Sequence, residues 1–512
     1  MNATAKPEYP ESYKELTCPV IIMRHGGLDG VALQKEEYLT LLNELDMDMH
    51  VIAGREETEY GPISSEGQTR TVIERLDFYH PDSQLLFANQ FTHGPETEGI
   101  KKIDKEEWIR LFHTHKNKIR DAIEKALVSI PDNTPVLVYN LVSLRHAQPA
   151  AAVAIRELME KYPNRGFLSH AADPDAERPE KIERIKDFAL QVISANKPSE
   201  PYSGGPYYLN NLYHIVLNPT QRANFLYKYG IPEKHVYEIP DFLEFESKEA
   251  VIADGPEPDF LNYLSENCVF ARDDTYTYRH TDLDEQTVFF LSPVRPVYRK
   301  RLREAMLIAH VYGKTRNCRV AFVVTHPNTD DKHYFIDSAK FANALDLPYI
   351  HLGVGFTLEK LDYVYTNMAP MKTVGVVASS AGGWENALNE MAHKCIPFFM
   401  SAGLNSFKPL TEQIRIHTFG MNFRFLEELI EYRSDGDFKG CDLSGIPGFS
   451  TLFAWIDEAL GSNTRRELVV HNYKRAYKYL SHHATALRLW EAILTIYARH
   501  GLPGRPGEAS AK

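Results

Sequence analysis

The sequence predicts an α/β protein built from two doubly wound, parallel-sheet domains. Three observations carry that expectation. The chain has 512 residues, more than one ordinary core of roughly 100–200 residues takes up. Apolar runs of about five residues recur, each followed by a helical stretch, and this is how parallel strands covered on both faces read. The alternation also begins twice, near Cys18 and again at Thr287.

In the first half, Cys18–Met23 (CPVIIM) reads as a strand and the glycine-rich His25–Gly30 as a turn. Tyr38, Leu41, Leu42 and Leu45 then recur at helical spacing. Met49–Ala53 reads as the next strand, with further candidates at Gln84–Ala88, Pro135–Tyr139 and Gly166–Ser169. Ala150–Met159 reads as a helix between the last two. The passage Arg178–Arg272 is rich in Pro, Glu and Asp and shows fewer strands. Within it, His214–Phe245 reads as strand, loop, helix, a turn at Gly230–Pro232, and strand.

In the second half, strands are expected at Phe289–Pro293, Cys318–Val324, PYIHLG, Val374–Ser379 and IPFFM. Helices are expected between them: one with Leu302, Met306, Ala309 and Tyr312 near one face, then Asp330–Leu345, LEKLDYVY and Glu385–His393. Two long helices near Glu467–Leu480 and Ala484–His500 have no strand after them. The expected division is a first domain over 1–280 with the C-terminal helices 465–502 packed back onto it, a second domain over 281–464, and a flexible tail at 503–512.

Composition narrows the function classes. Hydrophobic residues make up 43% and charged residues 25%, the balance of a globular chain. A net charge of −12 argues against a general nucleic-acid or anionic-membrane binder. No apolar run reaches the roughly 20 residues of a membrane span, and the first residues carry no apolar signal core. Cys18, Cys268, Cys318, Cys395 and Cys441 are scattered, with no CxxC. That argues against a disulfide framework or zinc site and fits a reducing cytoplasm.

Several positions have the chemistry of a site. The loop holding Gly26, Gly27 and Asp29 follows a strand and opens a helix, so its backbone can approach an anionic ligand. It is neither GxGxxG nor a Walker loop. Arg295 and Lys300 follow the strand at Phe289 and suit the two phosphates of a nucleotide diphosphate. A solvated basic turn is the commoner reading of such a run. Ser379–Pro397 runs from a strand through Gly382 and Gly383 into a helix opening at Trp384, Glu385, Asn386 and Ala387. Loop amides there would face phosphate or sugar oxygens, and a carboxylate, Glu385 or Glu390, would accept two ribose hydroxyls. His170 follows a strand and could bond a sugar hydroxyl or move a proton. His25 and His146 belong to the same histidine set. Asp330-Asp331 and Asp46-Met-Asp48 read as a helix start and a turn, and no metal is assigned.

Taken in order, these features resemble the retaining GT-B glycosyltransferases of the large family 4 type. GGLDGVALQ is similar to that family's glycine loop and first helix, and His214–Phe245 to the passage closing its acceptor domain, with IPDFLEF for the usual asparagine-glycine ending. Arg295-x4-Lys300 matches its diphosphate pair. His351–Met368, with Gly353, is similar to its base-binding segment, and Ser379–Pro397 to its E-x7-E region. Counting back from Glu390, Gly382 stands where that pattern has its first glutamate.

The resemblance implies two Rossmann-like domains facing across a cleft, with C-terminal helices crossing back. It implies a hexosyltransferase moving a hexose from a nucleotide-diphosphate sugar to a hydroxyl of a soluble acceptor, a small solute or sugar that Arg145 and His146 would suit if anionic. Arg295 and Lys300 would neutralise the leaving diphosphate, so no metal or other cofactor is expected. Glu390 would hold the ribose, and His170 with the amides near Gly383–Asn386 the sugar, joined by the Glu385 carboxylate if it serves from its shifted position in place of the missing first glutamate. A nucleotide-sugar epimerase or hydrolase on the same fold, or a non-catalytic sugar-nucleotide binder, are the rival readings. A homo-oligomer is left open.

Overall fold

The computed structural model describes residues 20–500, apart from 24–37, 39–48, 56, 59–60, 63–67, 95–96, 98, 131–133, 143–144, 173, 195–206, 244, 246–254, 329–330, 381–383, 405–413, 420–422, 433–437, 439–442 and 444. The chain divides into two compact units, residues 1–242 with 482–512, and residues 243–481.

The first unit is a seven-stranded sheet. Its strands are β1 (Val20–Met23), β2 (Met49–Ala53), β3 (Gln68–Val72), β4 (Val136–Tyr139), β5 (Phe167–His170), β6 (Leu212–Val216) and β7 (Val236–Glu238). They lie in the order β3-β2-β1-β4-β5-β6-β7, and every pairing is parallel. Residues alternate between the faces, as a strand requires. Val136 and Val138 face a core built with α1 (Pro81–Asn89), α2 (Lys105–Leu127), α3 (Pro149–Lys161) and α4 (Asp187–Ser194). Leu137 and Tyr139 face the opposite core.

The residues expected as a strand at Gln84–Ala88 lie inside α1. Pro81 stands in the helix's first turn, and the His80 ring accepts the Asp82 N–H at its start, so cap chemistry outweighs the short apolar run.

The second unit repeats the pattern. Its strands are β10 (Val288–Ser292), β11 (Val320–Val324), β12 (Tyr349–His351), β13 (Thr373–Val377), β14 (Phe398–Ser401) and β15 (His417–Phe419). The order is β12-β11-β10-β13-β14-β15, again all parallel. Before them come α5 (Phe260–Glu266) and an antiparallel hairpin of β8 (Val269–Arg272) and β9 (Thr275–Tyr278). The described residues of 243–280, expected in the first domain, belong to this unit, with Phe260, Leu264 and Val269 buried in its core.

The remaining described helices of this unit include α6 (Leu302–Arg316), α7 (Lys332–Ala344), α8 (Leu358–Met368), α9 (Asn386–His393), α10 (Phe423–Tyr432), α11 (Phe449–Leu460) and α12 (Ser462–Leu480). Asp331 starts α7 by accepting the Tyr334 N–H at 2.9 Å; Asp330 and Asp46-Met-Asp48 lie outside the described residues. Of the two C-terminal helices, α12 stays in the second unit, burying Ala476 and Leu480. The chain then breaks at extended Ser481, and α13 (His482–His500) joins the first unit. The return is therefore shorter than the expected 465–502.

No helix among the described residues is long and apolar enough to cross a membrane.

Candidate functional site

Both sheets reverse direction of growth between their first and fourth strands. In open α/β sheets, ligands gather beyond the carboxyl ends of the strands at that switch point. In the second unit it lies between β10 and β13, paired through Phe290 and Val374. The segments that leave these two strands carry Arg295, Lys300, Ser379 and Glu385.

The β10 exit is tightly built. Tyr298–Lys300 forms a 3-10 turn, and Arg301 takes a left-handed φ of 52° as α6 begins. Such a conformation costs a non-glycine residue energy. The Arg299 carbonyl accepts both the Ser380 N–H, at 2.9 Å, and the Ser380 hydroxyl, at 3.2 Å. The two exits are thereby tied together.

Lys300 and Glu385 meet across them. Lys300 is 5% exposed and Glu385 7%, and the ammonium donates directly to Oε2 of the carboxylate. Glu385 is the N-cap residue of α9, yet its side chain makes no cap hydrogen bond. Its other oxygen, Oε1, lies 3.6 Å from Nη1 of Arg299 and has no hydrogen-bond partner. Burial alone would lift the Glu385 carboxyl, but Lys300 and then Arg299 outweigh it and hold the group below the usual carboxylate range. Burial and the Arg299 charge pull Lys300 down to about 7, with Glu385 resisting.

His326, which follows β11, was not among the expected site residues. The enclosing protein, with Arg295 and Lys300 nearby, drives its imidazole down to about 3, so the ring is neutral. Its Nδ1 lies 2.9 Å from the Thr325 hydroxyl. The His326 carbonyl is 3.0 Å from Nε2 of His351, whose Nδ1 is 2.9 Å from the Tyr278 hydroxyl. Gly353 fits this corner because a Cβ there would stand 2.3 Å from the His326 carbonyl oxygen. Position at the end of β11 was the one sequence signal for His326; no motif surrounds it.

The other expected residues fall as follows. Arg295 is exposed at the same edge. Glu390 accepts the Tyr365 hydroxyl at 2.5 Å. Trp384 donates its indole N–H to Asn389 at 3.1 Å, and Ala387 is buried in the core. Asn386 is half-buried at the first position of α9. Gly26, Gly27, Asp29, His25, Gly382 and Gly383 lie outside the described residues.

In the first unit, His170 ends β5 and is 1% exposed. Tyr139 stacks on it with ring centroids 4.3 Å apart, and its Nε2 lies 3.3 Å from Asp241. Arg145 does not stand open to an anionic ligand. Its Nε donates to Asp175 at 2.6 Å, and its guanidinium lies 5.8 Å from the Tyr207 ring centroid. His146 is 3.5 Å from the same carboxylate. Asp175 supplies internally the negative charge that an acceptor was expected to bring.

Among the described residues, His80, Asp82 and His115 lie close enough together to hold a cation. Arg75 already fills that group, bonding Asp82 at 2.6 Å and approaching His115 Nδ1 at 3.0 Å. We assign no metal to it.

No family model matches the sequence, and no curated protein matches it. Solved structures do match, over nearly the whole chain. Sucrose-phosphate synthase from Thermosynechococcus elongatus is 12% identical, with 94% of this chain and 99% of that one covered and a TM-score of 0.56. The α,α-trehalose 6-phosphate synthase of Burkholderia multivorans is 12% identical, with coverage of 94% and 98% and a TM-score of 0.55. An E. coli trehalose-6-phosphate structure bound with UDP-2-fluoro glucose is 12% identical, with coverage of 93% and 99% and a TM-score of 0.55. At such identity the likeness defines the fold, and the fold is GT-B, with two Rossmann-like units in one chain.

Proposed function

We propose that the protein is a retaining hexosyltransferase of the family 4 type, moving a hexose from a nucleotide-diphosphate sugar to a hydroxyl of a soluble sugar or phosphosugar acceptor. One observation carries the reading: a buried ammonium, Lys300, flanked by Arg299 and near Arg295, sits at the switch point of the second sheet. Departure of a nucleoside diphosphate leaves negative charge on the phosphates, and cations already in place stabilise it without reorganising. The resemblance of the Arg295–Lys300 and Ser379–Pro397 segments to the family's motifs supports the same assignment. So does the UDP-sugar analogue held by a structural neighbour. On this reading Glu390 lies on the ribose side, and His170 is the first unit's candidate for a sugar hydroxyl.

A thermal-shift screen of UDP, GDP, ADP and their hexose conjugates tests the reading. A bound ligand stabilises by RT ln(1 + [L]/Kd), so one base should stand out. If none of them moves the transition, the reading fails.

Two further results are expected. Affinity for the nucleoside diphosphate should be full below about pH 7, where Lys300 keeps its proton, and weaken as pH rises through that value. The limit is about tenfold per pH unit for one coupled proton, and calorimetry at pH 6 and pH 8 reads it. Because side-chain cations neutralise the leaving group, turnover should survive EDTA; complete loss restored by magnesium or manganese would assign that work to a metal.

A further inference from the structure

The proposed reaction needs a cation open to phosphate, yet Lys300 is closed by Glu385. The pair is buried on both sides, and the carboxylate is bonded to the lysine through one oxygen, Oε2. Glu385 caps nothing, its Oε1 is buried without a hydrogen bond, and its second cation, Arg299, stands 3.6 Å away. The Ser379 hydroxyl is buried beside the carboxylate, short of full hydrogen-bond geometry, and helps hold it ionised. Parting a buried ion pair is costly unless another anion takes the carboxylate's place at the lysine.

We propose that Glu385 is the resident counter-ion of this anion subsite, competing with the donor's diphosphate for Lys300 and leaving when the diphosphate arrives. The inference rests on the nucleotide-diphosphate reading above. Its physical basis is charge balance. An ammonium this far from water needs an anion, and Glu385 supplies one when no donor is bound. A diphosphate brings its own negative charge, so the lysine stays compensated while the carboxylate moves off. A ligand without phosphate offers nothing in exchange and leaves the pair shut. Glu385 is then a positioning residue that acts through Lys300, and it tunes donor affinity downward.

Glu385→Gln keeps the side-chain shape and removes the competing charge. Calorimetry at about pH 6, where Lys300 holds its proton, should show the preferred diphosphate among UDP, GDP and ADP binding at least about tenfold tighter than to wild type, a difference of 1.4 kcal/mol. The matching nucleoside should bind both proteins equally. A residue with a purely structural role would not raise affinity for the charged ligand alone. Equal or weaker diphosphate binding in the variant, with wild type still binding, overturns the counter-ion role and leaves the functional reading standing. Binding by neither protein overturns both. Should Glu385→Gln fail to fold, a structure of the wild-type protein with the same diphosphate decides the point. Glu385 beyond hydrogen-bonding distance of the Lys300 ammonium supports the proposal, and an intact pair beside the bound diphosphate overturns it.

Discussion

Lys300→Ala is expected to destabilise the second unit by about 3–5 kcal/mol, the usual cost of breaking a buried ion pair by removing one partner. The truncation strands the Glu385 carboxylate, 7% exposed and with one oxygen already lacking a hydrogen bond. Arg299 at 3.6 Å recovers part of the lost charge interaction. The deficit should depend on pH in a definite direction. Without Lys300, burial pushes the Glu385 carboxyl up, opposed by Arg299 and Ser379 alone. A group raised in the folded state contributes most below its unfolded pKa and loses that contribution as pH rises. The variant should therefore fall further behind wild type at pH 8 than at pH 5. Lys300→Ala with Glu385→Ala should recover most of the loss, since removing both charges leaves neither one unpaired. Hydrogen exchange in the peptides of β10 and β13 reads this locally. That matters because a chain of two compact units need not unfold in one step. Unchanged protection of both strands in Lys300→Ala would mean that the pair contributes nothing to the fold.

The same pair shows where sequence reading succeeds and where it stops. Strands such as VLVY, VFFLS and VAFVV are buried along their whole length, so their apolar runs give them away. Gln68–Val72 (QTRTV) pairs at the edge of its sheet and carries polar residues, which hides it. The antiparallel hairpin at 269–278 also escapes, since Thr275–Tyr278 alternates aromatic and threonine residues with little burial. Lys300 and Glu385 were each legible as residues of a strand exit. Their partnership was not, because they stand 85 positions apart and meet only when β10 and β13 pair. Taken separately, the lysine reads as a phosphate ligand and the glutamate as a sugar ligand; together they first neutralise each other. Arg145 shows the same limit. Its charge was plain in the sequence, but the Asp175 that occupies it lies 30 residues on, in a separate turn.

Trp490→Ala in α13 should cost the first unit about 3–5 kcal/mol, the range for removing a large buried aromatic side chain. Trp490 is 1% exposed and packs in a cluster with Leu137, Leu168, Tyr213 and Ile215, which point from β4, β5 and β6 to one face of the sheet. Among the described residues, that face is covered mainly by Ala486, Leu489, Trp490, Ala492, Ile493 and Ile496 of α13. The helix comes close enough that a Cβ on Gly166 would stand 2.1 Å from a methyl of Ile496. So the sheet's own sequence makes room for a segment more than 300 residues further along. A parallel sheet exposes too much apolar surface to stand with one face open. The first unit should therefore be incomplete until the C-terminal helix docks. Limited proteolysis should show the variant cut first within 482–500, followed by loss of exchange protection in β4 and β5, while β10 and β13 keep theirs. Loss of protection in both units together would show that they unfold as one body; loss in neither would mean that the indole is dispensable to the sheet face it covers. The His170 ring belongs to the same layer of the molecule, stacked on Tyr139, itself a member of that cluster. Trp490→Ala should accordingly loosen the first unit's candidate sugar contact and lower turnover, while leaving nucleoside-diphosphate affinity, which the proposed function assigns to the second unit, near its wild-type value.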